Sequence, residues 1–192
     1  MAKGSALASI QISLVLLLAI FVCSEADLLD PYYCCRGKET KITVYLQLFT
    51  GGPKTTSVAV AGAPGRPRTL SEFGTIFVND ANMTEGISYR SPTIGRAQGL
   101  YIVSARNGNS SQGIFSFIFS NSQYNGSTLE FQGPGFILQT GGPTSEIPVI
   151  GGTKKFRLAR GYGLFKIVRQ NLSLNNTVIM GNITVVSNNK FE

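Results

Sequence analysis

The chain has 192 residues but no histidine and no tryptophan, only three cysteines, and 10 acidic residues against 17 basic ones. Without histidine, and with no cluster of carboxylates or cysteines, zinc sites, histidine-ligated haem and Ser-His-Asp triads are excluded. No dinucleotide fingerprint is present, and Gly-Gly-Thr-Lys-Lys at 151–155 lacks the spacing of a phosphate loop. No cofactor is expected, and no redox chemistry of the chain's own. Shape, hydrogen bonding and charge are what remain.

Long apolar runs are equally scarce. Ile12–Val22, broken only by Ser13, follows Met1 and Lys3 and precedes Ser24-Glu25-Ala26. A charged start, a short apolar stretch and a small-x-small cleavage site read as a secretory signal peptide over residues 1–26. The run is too short to span a bilayer comfortably, so the mature chain is expected to be extracellular, with no membrane attachment after cleavage. Cys23 leaves with the signal. Cys34 and Cys35 are neighbours, too constrained for an ordinary mutual disulfide; intermolecular pairing, a strained vicinal bond and free thiols all stay open.

Cleavage removes one basic residue, Lys3, and one acidic residue, Glu25, so the net charge of +7 is kept. A basic surface suits acidic cell-wall polymers, or serves solubility alone. Nucleic acid is set aside, because the chain is exported and its basic residues are scattered along the sequence. Six N-x-S/T sequons begin at Asn82, Asn109, Asn125, Asn171, Asn175 and Asn182. In an exported chain they mark glycosylation at several solvent-facing positions.

Asp27–Lys41 reads as a polar, flexible arm, and residues 42–192 as one domain. From Ile42 onward, short apolar runs alternate with Gly, Pro, Asn and Ser clusters. They are Ile42–Phe49, Ser57–Ala61, Thr75–Asn79, Leu100–Ala105, Ile114–Phe119, Ser127–Gln132, Phe136–Gln139, Phe156–Arg169 and Thr177–Ser187. None is a long amphipathic helix. Evenly spaced short strands predict a β-sandwich or barrel. In Ile114–Phe119, three phenylalanines occupy one face and Ile114, Ser116 and Ile118 the other. That favours a barrel whose second apolar face meets a neighbouring subunit. A glycosylated Asn182 faces outward and sends Ile179, Ile183 and Val185 inward.

The densest motif is IPVIGGTKKFRLARGY, from Ile147 to Tyr162. The residue before proline is held extended, and Gly151-Gly152 permits a sharp turn. Phe156, Leu158, Arg160 and Tyr162 then fall on one face of a predicted strand. Turned inward, that face sets Arg160 as a fixed charge in an apolar pocket, in need of an anionic or phenolic partner.

This stretch resembles the Val-Val-Gly-Gly-Thr-Gly-x-Phe-x-x-Ala-Arg-Gly motif of the plant dirigent proteins. FGTIFVNDANMTEG (Phe73–Gly86), GRAQGLYIVSA (Gly95–Ala105) and YNGSTLEFQG (Tyr124–Gly133) continue the resemblance in family order, over roughly residues 42 to 187. The resemblance implies an all-β fold, an eight-stranded antiparallel barrel similar to allene oxide cyclase, assembled as a homo-oligomer (a trimer, or a dimer). It also implies a function. Such proteins bind phenoxy radicals of monolignols, made by a separate laccase or peroxidase, and orient them so that coupling follows one stereochemical course. The rival reading is a non-catalytic barrel that binds phenolics or wall polymer in plant defence or wall assembly. An allene oxide cyclase-like isomerase is opposed by the signal peptide.

By that resemblance Arg160 is either the partner of a phenolic oxygen or part of a structural salt bridge. On the first reading, Arg160→Ala turns the product racemic. Asp80 matches the family's aspartate before Thr-Glu-Gly, though an aspartate at a strand end also caps turns. Tyr101 is placed to stack on or hydrogen-bond a phenolic ring. Phe115, Phe117, Phe119 and Phe156 are candidates for the pocket wall or for the core. Lignan-forming relatives carry His-Asp on the first strand, where this chain has Gln47-Leu48. They often have an acid before the motif phenylalanine, where it has Lys155. Glu146 is the nearest substitute acid. The N-terminal-to-C-terminal disulfide common in the family has no second cysteine here.

Overall fold

The computed structural model describes residues 37–135 and 142–187. The signal peptide, Cys34, Cys35 and the run Phe136–Gln139 lie outside them. The described residues form nine strands: β1 (Lys38–Phe49), β2 (Ser57–Ala61), β3 (Ile76–Thr84), β4 (Thr93–Val103), β5 (Ser111–Phe119), β6 (Thr128–Pro134), β7 (Ser145–Gly152), β8 (Arg160–Asn171) and β9 (Asn176–Ser187). The hydrogen-bonded order is β1-β9-β8-β7-β6-β5-β4-β3-β2, and β1 also pairs with β3, through Tyr45↔Thr84 to Gln47↔Asn82. Eight strands therefore close a ring, all neighbours antiparallel. β2 continues the line of β1 along β3. Closure leaves no free edge in the ring.

Period-two alternation decides which side chains enter the barrel. Ile42, Val44 and Leu46 on β1 are buried, as are Phe77, Ala81 and Met83 on β3, Phe117 and Phe119 on β5, and Ile179, Ile183 and Val185 on β9. Each fully buried large side chain contributes about 1.5–3 kcal/mol of hydrophobic stabilisation. Four phenylalanine rings make the densest packing: Phe131 lies 5.0 Å from Phe115 and 4.7 Å from Phe117, and Phe165 stands edge-on to all three. Phe165 lies across Gly163 and Gly181; a Cβ there would come within 2.5 and 2.8 Å of its ring atoms. Glycine at those two places is what lets the ring lie down.

One end of the barrel is plugged. Phe156 is 1% exposed, with ring centroids 5.5 Å from Phe119 and 5.0 Å from Tyr124. This corrects the expected geometry of the motif. Gly151 and Gly152 do not turn; they belong to β7 and pair with Glu130 and Leu129. The turn follows, as a short 3-10 segment (Lys154–Phe156) closed by Phe156 N–H to Thr153 O and Ala159 N–H to Phe156 O, both 2.9 Å. The gain from burying Phe156 in the plug overrides strand alternation, so β8 starts only at Arg160. Leu158 is left 61% exposed, in the left-handed region.

The first strand also starts earlier than expected: Lys38–Lys41, assigned to the arm, pair with Ser187–Thr184. On the outside, residues 85–92 cross β1 and β8. Gln47 Nε2 donates to Thr84 Oγ1 (3.0 Å) and more weakly to Ile87 O, which also accepts from Arg169 (2.8 Å). Among the described residues no helix is long and apolar enough to cross a membrane.

Candidate functional site

The other end of the barrel is open, and its lumen is the site. β1 supplies Leu46 and Leu48, β3 Phe77, Asn79 and Ala81, β4 Ala97 and Tyr101, β5 Phe115, and β9 Thr177 and Ile179. Thr50, Ser57, Leu70 and Gln170 complete the mouth. The space open to the centre of a water molecule is about 90 Å³. Among the described residues no Asp, Glu, Lys or Arg lines it. The wall is thus apolar, with a few neutral hydroxyl and amide groups, the pattern of a small-molecule site that orients an uncharged ligand.

Among the described residues Tyr101 is its one titratable side chain. It meets Phe77 edge-on at 6.1 Å and is hydrogen-bonded to Ser111; burial pushes its phenol above the usual range, against that bond. Tyr101 therefore stays a neutral donor and acceptor throughout the physiological range. Among the described residues no three His, Cys, Asp or Glu side chains come together as a metal site.

The sequence-derived candidates divide sharply. Tyr101 and Phe115 face the lumen. Phe117, Phe119 and Phe156 point into the barrel but are fully buried beneath it, in the floor and the plug. Arg160 lies at the plugged end and points out of the barrel, donating through one nitrogen to Ile150 O (2.6 Å) and Ala159 O (2.9 Å). It does not enter an apolar pocket; the face it shares with Tyr162 is the outer one. Glu146 is also exposed outside. Of Gln47-Leu48, only Leu48 reaches the lumen, so the acid missing from the first strand is missing from the pocket itself.

Asp80 lies in the middle of β3 rather than at a strand end, on the outer face with Ile76 and Val78. There Arg96 clamps it, Nε to Oδ1 and Nη2 to Oδ2, both at 2.6 Å, and Gln98 donates to it at 3.1 Å. The Arg96 hydrogen bond, more than its charge, holds the Asp80 carboxyl below the usual range. A carboxylate with a lowered folded-state pKa stabilises above its unfolded value and loses that contribution as pH falls through the folded one. Because the pair is half-exposed, its worth is under about 1 kcal/mol. Thermal melts of Asp80→Asn should therefore fall slightly short of wild type above about pH 4, with the gap closing as pH drops below that range. An equal gap at every pH would contradict the pairing.

Sequence reasoning missed Leu46, Asn79, Gln170, Thr177 and the loop residue Leu70. Asn79 had a legible signal, since it falls in step with Phe77 and Ala81. Leu70 had none.

A model of the dirigent-like protein family matches residues 39–186. The chain belongs to the dirigent family. Among similar relatives, Dirigent protein 1 of Arabidopsis thaliana is 36% identical over 174 residues, covering 88% of this chain and 92% of that one. Dirigent protein 11 of the same plant is 39% identical over 129 residues, covering 67% and 65% respectively. A solved pterocarpan synthase dirigent protein superimposes with a TM-score of 0.71 at 29% identity, covering 81% of this dirigent chain and 88% of its own. A pyocyanin demethylase, with a TM-score of 0.51 and 9% identity, shares the fold alone.

Proposed function

We propose that this dirigent protein is secreted to the apoplast, holds monolignol phenoxy radicals made by an external laccase or peroxidase, and directs their coupling without oxidising anything itself. The observation that carries the reading is the uncharged lumen closed below by phenylalanines. Neutral phenoxy radicals couple unaided, so a wall that fixes the exposed ring face is sufficient for selectivity. The expected ligands are uncharged phenylpropanoid alcohols, because a carboxylate drawn into this wall would lack a partner. Leu48 and the lack of a lumen carboxylate among the described residues favour a second reading, a barrel that binds phenolics without steering them.

Arg160→Ala separates this site from one built on the motif. With Arg160 outside the lumen, the variant should keep the handedness of the coupled product and lose on the order of 1 kcal/mol of stability, the worth of its backbone hydrogen bonds. Chiral chromatography beside a denaturation curve reads both. A racemic product from a folded variant would move the site to the plugged end.

Two further expectations belong to this reading. Val58, Val78, Leu100 and Ile114 stand in register across β2–β5 on the outer face, each at least a third exposed, as a homo-oligomer interface requires; sedimentation at micromolar concentration reads the state. Asn82, Asn109, Asn125, Asn175 and Asn182 are exposed and Asn171 half-buried. Loss of mass on enzymatic deglycosylation of the secreted chain would count the glycans.

A further inference from the structure

Basic residues that the sequence scatters are gathered by the fold at the plugged end. Lys38 and Lys41 come from the start of β1, Lys154, Lys155 and Arg157 from the 3-10 turn and its exit, and Arg160 from the start of β8. All six are exposed. The ladder β1-β9-β8 brings the two strand starts to one rim, with Lys38 beside Ser187 and Arg160 beside Val186. Between β1 and the turn lies a polar groove of about 390 Å³, lined by Lys38, Thr40, Lys41, Gln123, Tyr124 and Lys155 among others. Its one carboxylate among the described residues, Glu39, sits 3.2 Å from Lys41. The floor is firm: the Tyr124 ring packs on Phe119 and Phe156, and its hydroxyl accepts from Gln123 Nε2 at 2.8 Å.

We propose that this groove is a second binding site, which takes a linear carboxylated polysaccharide and anchors the barrel while the open end handles small phenolics. Cations outnumber carboxylates at the rim, so a chain of carboxylates gains at several points at once. Lysine ammonium groups on flexible stems adjust to the spacing of such a chain. Thr40, Gln123 and the Tyr124 hydroxyl offer the neutral hydrogen bonds that sugar hydroxyls need, beside an aromatic ring. A lipid surface fits less well. The groove is concave and polar, and the turn exposes a single large apolar side chain, Leu158, where membrane insertion needs an apolar face.

The test is retention of the secreted protein on immobilised polygalacturonate, with dextran as the uncharged control. Retention on polygalacturonate alone, released as salt is raised through 0.15 M, is expected. The double variant Lys38→Glu/Lys155→Gln should bind roughly tenfold more weakly, since one exposed charge pair is lost and another reversed. Its denaturation midpoint and its coupling product should be unchanged. Equal retention on dextran, or equal retention of the double variant, would overturn the proposal. So would binding to vesicles containing phosphatidylserine with none to polygalacturonate. Because the groove and the lumen lie at opposite ends, failure of directed coupling leaves this result standing, and the reverse holds too.

Discussion

Phe165→Ala is expected to remove about 3–5 kcal/mol of stability. The ring is fully buried, faces Phe115, Phe117 and Phe131 edge-on at 5.6–6.1 Å, and lies over two glycines. Glycine has no side chain to move into the vacated space, and the other three rings are held by their own strands, so collapse is limited. The lost transfer energy and the cavity therefore add. For a domain of this size the melting temperature should fall by roughly 10 °C or more. Urea denaturation, with the slope compared between variant and wild type, gives the cleaner number. A loss below about 1 kcal/mol would mean that the four-ring floor does not carry the fold.

The second large effect concerns the ligand. Ala97 is 6% exposed, sits on β4 opposite Ala81, and lines the lumen. The wall is narrow there because two alanines face each other across the ladder. Ala97→Phe projects a ring into that space, and binding of a monolignol should weaken at least tenfold, about 1.4 kcal/mol. Ala97→Val should fall between. The cavity takes up much of the added volume, so the overpacking cost stays at the lower end of about 1–3 kcal/mol and the variant folds. Equilibrium binding of coniferyl alcohol to the three proteins checks the series. Unaltered affinity in a folded Ala97→Phe would place the ligand elsewhere.

Much of this architecture was legible before any coordinates. The Phe115-Phe117-Phe119 alternation correctly gave an interior face and an exterior one, and Asn182 does face outward with Ile179, Ile183 and Val185 inside. Four motifs in order identified the family and with it the closed barrel. Legibility failed wherever a residue's direction depended on partners distant in sequence. The parity of Arg160 with Phe156 was real in the sequence, but Phe156 ends a 3-10 turn and the left-handed Leu158 after it breaks the alternation. That turn forms because Phe156 finds Phe119 and Tyr124, which no local pattern announces. Asp80 shares its parity with Val78, yet parity alone does not say which side is the lumen.

The gathering of charge was hidden for the same reason. Lys38 and Arg160 are 122 positions apart in the chain and two strands apart in the ladder. Only closure makes them neighbours. The lumen lining followed a similar rule: Tyr101 was named through the family motif and Phe115 through its strand alternation, whereas Asn79 and Thr177 line the lumen through position rather than chemistry. Replacement of an acid by Leu48 became informative once β1 showed that position 48, and not 47, faces the lumen.

The most direct measurement is chiral chromatography of coniferyl alcohol coupled by a laccase, alone, with the glycosylated protein, and with its Ala97→Phe variant. Directed coupling in the lumen predicts an enantiomeric excess with the wild-type protein only. A racemic product at saturating wild-type protein, or the same excess with the lumen filled, would contradict it.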